Sequence, residues 1–374
     1  MLARELKNTI EQKFFSGKAI ILTGPRQVGK TTLFYQIAEE KAMPFLFLNC
    51  DEPEVRNSLS DTNTQKLKTL IGNYRLVMID EAQRVKNIGL TLKLIVDNFS
   101  DVQLLVSGSS SLDLANEINE PLTGRKFTYN LFPFSVAELV KNTNYITERK
   151  SLENRLIYGA YPDVINRPGG EKEVLLNITE SYLFKDILSL AEIRKPAQLE
   201  NLVMALALQL GSEVSYNELA KTIGANIETV ERYVDLLEKC FVVFRRNAFS
   251  RNMRNEIKKS KKIYFYDNGI RNAVIQNFSP LNLRQDTGAL WENYFIVERI
   301  KFNHYRNYYN KSYFWRTFQQ QEIDLIEEAD GEISVFEMKY NEKKKPKFPA
   351  AFLNSYTVKQ QNIVNRENYF EFLL

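Results

Sequence analysis

The chain has 374 residues, 44% of them hydrophobic and 26% charged, with a formal net charge of +4. The length suits two or three domains of ~100–200 residues each, and the composition is that of folded globular protein rather than a disordered polyelectrolyte. Two cysteines, Cys50 and Cys240, and one histidine, His304, exclude a disulfide framework, a thiolate metal site and a multi-histidine metal site within one chain. Metal chemistry, if present, must use carboxylates and suits Mg²⁺ or Mn²⁺.

The N-terminal stretch is amphipathic with mixed charge, unlike a signal peptide. The apolar segment Leu202–Leu210 falls far short of the ~20 residues of a membrane span. The expected compartment is the cytoplasm, with no membrane partner.

Residues 1–140 alternate apolar strand runs with helical patterns. Strands are expected at Ala19–Leu22, Phe45–Leu48, Leu76–Ile79, Val102–Val106 and Lys126–Leu131. This is an α/β pattern, a doubly wound, mostly parallel sheet with helices on both faces. Between the first strand and a helix over 31–41 lies Gly24-Pro25-Arg26-Gln27-Val28-Gly29-Lys30-Thr31, a complete G-x-x-x-x-G-K-[ST] loop followed by Thr32. The glycines let successive N–H groups turn inward on phosphate oxygens, and the helix N-terminus adds its positive end. Lys30 is expected on the β- and γ-phosphates, and Thr31 on Mg²⁺.

Leu76-Val77-Met78-Ile79 ends in Asp80-Glu81, so Asp80 would face the metal held by Thr31, and Glu81 would activate a water against the γ-phosphate. The next strand ends in Ser107-Gly108-Ser109-Ser110; Ser109 is the first choice to bond the water or the γ-phosphate and Ser110 the second, with a plain serine-rich turn as the other reading. Arg125, at the entry of the last strand, is either a γ-phosphate sensor, a finger given to a neighbouring subunit, or an ordinary strand-edge arginine. Arg26 and Arg84 are further candidates for that role. No guanine-reading Asn-Lys-x-Asp element occurs, so ATP is the expected nucleotide.

Residues 141–197 read as a small helical lid, interrupted by the turn Tyr158-Gly159-Ala160-Tyr161-Pro162-Asp163. Residues 198–275 read as a winged helix. A first helix covers 199–210, Ser215 caps a second that Gly224 closes, and Asn226 caps a third over 227–239. Strands over 241–246 and 263–266 then form a hairpin around a basic wing. Between Phe241 and Lys262 stand Arg245, Arg246, Arg251, Arg254, Lys258, Lys259, Lys261 and Lys262 against Glu256 alone. That wing is a candidate contact for DNA or for an acidic protein, or a solvated loop. The third helix buries Ile227, Val230, Val234 and Leu237 and turns a net acidic face outward, unlike a major-groove reader.

Residues 285–374 hold a second constellation. Glu292 lies on a helix, Asp324 on a short strand, and Glu337 and Lys339 on one face of the next strand. Carboxylates with a lysine in this pattern can hold a divalent cation for phosphodiester cleavage, whereas a strand-edge salt bridge is the plainer reading. Glu-x-Lys recurs at Glu11, Glu39, Glu256 and Glu342, so strand context rather than the tripeptide carries the signal.

Nearly the whole chain resembles prokaryotic AAA-type ATPases that end in a restriction-endonuclease-like domain of unknown function. The resemblance rests on the glycine loop, Asp80-Glu81-Ala82-Gln83, Ser107-Gly108-Ser109-Ser110, Gly124-Arg125 before Leu131-Phe132-Pro133-Phe134-Ser135, Trp291-Glu292, Glu322-Ile323-Asp324 and Glu337-Met338-Lys339. It implies ATP binding and hydrolysis, a winged-helix middle and a nuclease-like C-terminal fold. It favours a functional Arg125, which in trans would require an oligomer. It supplies no biological substrate.

Overall fold

The computed structural model describes residues 2–108, 118, 120–181, 187, 193, 195–250, 261–341 and 346–374. They fall into two compact units, Met1–Phe134 with Lys239–Phe241, and Ser135–Glu238 with Val242–Leu374.

Unit 1 is built on five strands, β1 (Ala19–Thr23), β2 (Phe45–Asn49), β3 (Leu76–Asp80), β4 (Gln103–Gly108) and β5 (Lys126–Asn130). All neighbours are parallel, in the order β2-β3-β4-β1-β5. The continuous apolar runs of β1, β3 and β4 are buried on both faces, as a covered parallel sheet requires. On one face Ile21, Val77, Ile79, Leu104 and Val106 pack with Leu59, Leu67, Leu92 and Ile95 from the helices α1 (Pro53–Leu59), α2 (Thr64–Ile71) and α3 (Ile88–Asn98). The helix Lys30–Glu40 contacts β3 and β4. Strand alternation gives it the opposite face, where Leu22, Met78 and Leu105 point. β4 thus lies between the strand that feeds the glycine loop and the strand that ends at Asp80.

Unit 2 begins with a capping box, Ser135 and Glu138 bonding each other's backbone at the head of the helix Val136–Asn142. Short helices follow at Tyr145–Lys150, Leu152–Tyr158, Pro162–Asn166 and Glu171–Ile178. The turn at Gly159 is locked. Its φ is +70° and an added Cβ would stand 2.0 Å from Asp267 Oδ1. Asp267 in turn accepts from the Ala160 N–H at 2.9 Å and caps the helix Asn268–Val274.

Three helices, Pro196–Leu208, Tyr216–Ile223 and Ile227–Lys239, precede β7 (Val243–Asn247) and β8 (Lys261–Phe265), with the two-residue β6 (Glu213–Val214) completing a sheet ordered β6-β8-β7. Ser215 caps the second helix and Asn226 the start of the third. The third helix buries Val230, Tyr233, Val234, Leu236 and Leu237, while Ile227 is 44% exposed. Ile227 therefore lies outside the expected stripe, because it stands in the first turn beyond reach of the core.

The C-terminal part runs helix Thr287–Tyr305, then β9 (Lys311–Arg316), β10 (Glu322–Ala329), β11 (Glu332–Met338), helix Ala350–Ser355 and β12 (Gln360–Val364). The sheet order is β12-β11-β10-β9, with β11 and β12 parallel and the others antiparallel. Ala248, just past β7, bridges Phe314 of β9, so the two sheets of unit 2 meet at that edge. No helix among the described residues is long and apolar enough to cross a membrane.

Candidate functional site

The loop of unit 1 has the backbone that its glycines permit. Gly24 has φ +148°, and an added Cβ would lie 2.1 Å from the Leu131 carbonyl oxygen, so no side chain fits there. Gly29 (φ +89°) and Gln27 (φ 61°) turn the chain through left-handed conformations, for which glycine has little cost and glutamine some. Arg4 ties the loop down, donating to the Val28 carbonyl at 3.3 Å and to the Phe132 carbonyl at 2.5 Å. Nothing in the spacing of the motif points to Arg4.

Lys30 is the first residue of the helix that follows, and it is 6% exposed. Its ammonium donates to the carbonyls of Gly24 (2.9 Å) and Pro25 (2.8 Å). Burial lowers its pKa to about 8, against the pull of Glu81 and Asp80, which favour the charged form. Thr31 donates its hydroxyl to Asp80 Oδ2 at 2.8 Å. The other oxygen, Oδ1, accepts from Ser107 Oγ and from the Glu81 N–H at 3.2 Å. The structure thus brings Thr31 and Asp80 together, as the metal assignment needs.

Among the described residues the serine that reaches this carboxylate is Ser107, fully buried inside β4. The signal was available, since β4 must lie beside β1 for its end to approach the loop at all. Ser109 and Ser110 lie outside the described residues.

Glu81 holds a left-handed backbone (φ 52°), the kind of strain that gathers at functional sites. Its Oε2 accepts from the Gln83 side-chain amide at 2.6 Å and stands 4.0 Å from Arg26 Nη2. Cys50 lies buried near these carboxylates. Burial and Asp80 push its thiol up to about 12, which removes it as a nucleophile.

Arg125 is not brought to the loop. It precedes β5, and its carbonyl accepts from the N–H of Ala19, the first residue of β1. In a parallel sheet that is the edge opposite Gly24–Thr31. The guanidinium pairs with Asp97 at 2.6 Å, and both side chains are well exposed. As a sensor within its own chain Arg125 is therefore excluded by geometry. Arg84 turns to Asp51 at 2.5 Å.

The second constellation does converge in unit 2, as a closed charge cluster. Lys339 Nζ lies 3.5 Å from Asp324 Oδ2 and 3.4 Å from Glu337 Oε2. Asp324 also accepts from the Met338 N–H at 2.7 Å. Glu292 accepts from Tyr264 at 2.6 Å and from Lys262 at 3.2 Å, and Lys262 reaches Glu322 at 2.5 Å. Burial raises Glu292 to about 7, and burial with the neighbouring Glu337 raises Asp324 to about 7. Among the described residues no three His, Cys, Asp or Glu gather so as to hold a metal ion. Glu292, Asp324, Glu337 and Lys339 do come together, with Lys339 between Asp324 and Glu337 and Lys262 between Glu292 and Glu322, so the carboxylates are paired with lysines in this arrangement.

The same packing engages part of the basic wing. Arg245 is bound to Glu238 and to Asp235 (2.6 Å), Arg246 is 3% exposed, and Lys262 is 2% exposed within the cluster just described. Two of the eight basic side chains are thus buried and a third is ion-paired at the surface of the helix Ile227–Lys239. Arg251, Arg254, Lys258 and Lys259 lie outside the described residues, and Lys261 lies over the Tyr216 ring at 5.1 Å.

Comparison with known proteins agrees with the reading of unit 1. Residues 16–140 match a family model described as an AAA domain. Residues 149–281 and 287–371 match two domains of unknown function, DUF8612 and DUF4143. An uncharacterized protein of Mycobacterium tuberculosis is 28% identical over 342 residues, spanning 90% of this chain and 73% of the relative. An uncharacterized protein of Methanocaldococcus jannaschii is 24% identical over 317 residues, spanning 79% and 69%. Among solved structures, the Thermotoga maritima RuvB Holliday junction branch migration motor matches at 17% identity and a TM-score of 0.31, over 69% of this chain and 95% of that one. That likeness is too remote to carry residue correspondences.

Proposed function

We propose that unit 1 binds Mg²⁺ with ATP and hydrolyses it to ADP and phosphate. The observation that carries this is the Thr31 hydroxyl donating to Asp80 at 2.8 Å beneath a complete glycine loop. A hydroxyl and a carboxylate side by side are the oxygen donors that Mg²⁺ takes, so the residues fit the ion. When bound, Mg²⁺ would withdraw charge from phosphate oxygens. The chain's own groups do the rest. The loop N–H groups and Lys30 bind the phosphates, and Glu81 takes a proton from the attacking water. Ser107 fixes the orientation of Asp80.

Unit 2 is the proposed effector of the nucleotide state. We read 141–197 as a helical lid, 198–275 as a winged helix and 285–374 as a restriction-endonuclease-like fold, supported by the order of their helices and strands. Cleavage of nucleic acid is not part of the proposal, since the carboxylate cluster is closed by its own lysines. A DNA contact through the wing would have to use the basic residues left over after Arg245, Arg246 and Lys262.

The test is phosphate release by the purified full chain with Mg²⁺ and ATP. Lys30→Ala should abolish it, and Glu81→Gln should abolish release while nucleotide still binds. Unchanged release in Lys30→Ala would sink the reading.

A further inference from the structure

Hydrolysis of a γ-phosphoryl group spreads negative charge over its oxygens, and an arginine that meets this charge is worth ~10³–10⁵ in rate where one has been measured. Unit 1 offers three arginines on sequence grounds, and the structure separates them. Arg125 stands at the opposite edge of the sheet, paired with Asp97. Arg84 is paired with Asp51, with 43% and 52% of the two side chains exposed. Arg26 belongs to the glycine loop itself, and its guanidinium points to the catalytic carboxylate, with Nη2 4.0 Å from Glu81 Oε2. These two side chains are 27% and 16% exposed, so water screens them only in part. The charge of Arg26 also reaches Lys30, where it opposes the ammonium.

The attacking water must stand between Glu81 and the γ-phosphorus, since Glu81 takes its proton. A cation beside Glu81 and close to Lys30 is therefore beside the γ-phosphate as well. We propose that Arg26 is the arginine of this site, supplied by the glycine loop of the same chain and passed from Glu81 to the γ-phosphoryl oxygens when ATP enters. The inference rests on the ATPase reading above.

In the step it assists, the water oxygen forms a bond to the γ-phosphorus. The bond from that phosphorus to the β,γ-bridging oxygen breaks, and its electron pair leaves with ADP. One water proton goes to the Glu81 carboxylate. Arg26 exchanges no proton and only neutralises charge on the γ-oxygens. Its departure removes a cation from beside Glu81, whose Oε2 keeps its bond from Gln83, and so raises the basicity of the carboxylate as a triphosphate arrives. ADP, lacking the γ-phosphate, leaves the Arg26–Glu81 pair in place.

The test compares wild type, Arg26→Ala, Arg26→Lys and Arg125→Ala as full chains. One readout is steady-state phosphate release; the other is affinity for a nonhydrolysable ATP analogue and for ADP, by fluorescence titration. Arg26→Ala should lose at least ~10²-fold in kcat and bind the ATP analogue about tenfold more weakly, with ADP affinity little changed. Its preference for triphosphate over diphosphate should also fall by about tenfold. Arg26→Lys should restore part of the preference and little of the rate, since an ammonium lacks the planar fork. Arg125→Ala should match wild type in both, with a specific rate that does not depend on protein concentration.

Wild-type turnover in Arg26→Ala, or loss of turnover in Arg125→Ala, overturns the inference and leaves the ATPase reading standing. If wild type itself releases no phosphate, the ATPase reading fails instead. The triphosphate preference then still decides whether Arg26 meets the γ-phosphate.

Discussion

Lys30 makes the site sensitive to pH in a direction that the structure sets. Its ammonium is buried, and desolvation holds it at about 8 despite Asp80 and Glu81 nearby. Phosphates favour the charged form, so nucleotide binding raises the pKa. Above pH ~8 the free protein must take up a proton in order to bind. At about pH 9, one unit above the free value, roughly a tenth of Lys30 is charged. Apparent affinity should then be about tenfold below its value at pH ~7, or ~1.4 kcal/mol. The measurement is a fluorescence titration with a nonhydrolysable ATP analogue from pH ~7.5 to ~9.5 at fixed free Mg²⁺, where the triphosphate is already fully ionised. Lys30→Arg keeps its charge throughout and should flatten the profile. Stability of the nucleotide-free protein should move the other way. Between about 8 and the ordinary lysine value of 10.5 the folded state holds fewer protons than the unfolded one, so folding gains as pH rises. A flat wild-type affinity profile, or an equal slope in Lys30→Arg, would refute the assignment of Lys30 as the buried phosphate ligand.

Two glycines of unit 2 give a matched comparison. Gly159→Ala places a Cβ 2.0 Å from Asp267 Oδ1 and should cost ~4 kcal/mol or more in chemical denaturation, whereas Gly224→Ala meets open space and should cost ~1 kcal/mol for its φ of +63° alone; equal losses would contradict the locked turn. Asp324 has a raised pKa of about 7, so the stability it contributes is present below the ordinary carboxylate value and lost as pH rises through 7. Asp324→Asn should therefore melt above wild type at pH ~8 and level with it near pH ~4, and a Tm difference that ignores pH would argue against a strained carboxylate.

The nucleotide site was legible because its signals are local. Two glycines, a lysine and a threonine at fixed spacing specify a backbone shape, and an apolar run ending in Asp80 specifies a strand end. The strand order was not local. It places β4 beside β1, and so selects Ser107 as the partner of Asp80. Of the readings open for Arg125, that of a sensor in its own chain fails for a related reason. In parallel strands a residue that precedes β5 must stand with the start of β1, away from the loop. The partners of the wing's described basic residues were not legible for another reason. Composition counts charges and does not see their partners, and Lys262 finds Glu292 and Glu322 across a fold that no spacing rule connects.

The two charged clusters separate on what an incoming ligand would have to displace. In unit 1 the cations Lys30 and Arg26 face the carboxylates Asp80 and Glu81, and Lys30 rests on carbonyls of a loop whose N–H groups can take anions. A triphosphate with its cation replaces weak contacts with strong ones there. In unit 2 the ammonium groups of Lys262 and Lys339 stand among Glu292, Glu322, Asp324 and Glu337. Carboxylates outnumber the two lysines there, and Arg316 stands 4.0 Å from Glu322 as a further cation. Burial raises both Glu292 and Asp324 to about 7. A divalent cation bridging Glu292 and Glu322 would have to displace Lys262, which is 2% exposed and already bonds both carboxylates. Breaking such a buried pair costs ~3–5 kcal/mol. The charge that can exchange partners at low cost lies in the glycine loop, and chemistry on a nucleotide is accordingly expected there.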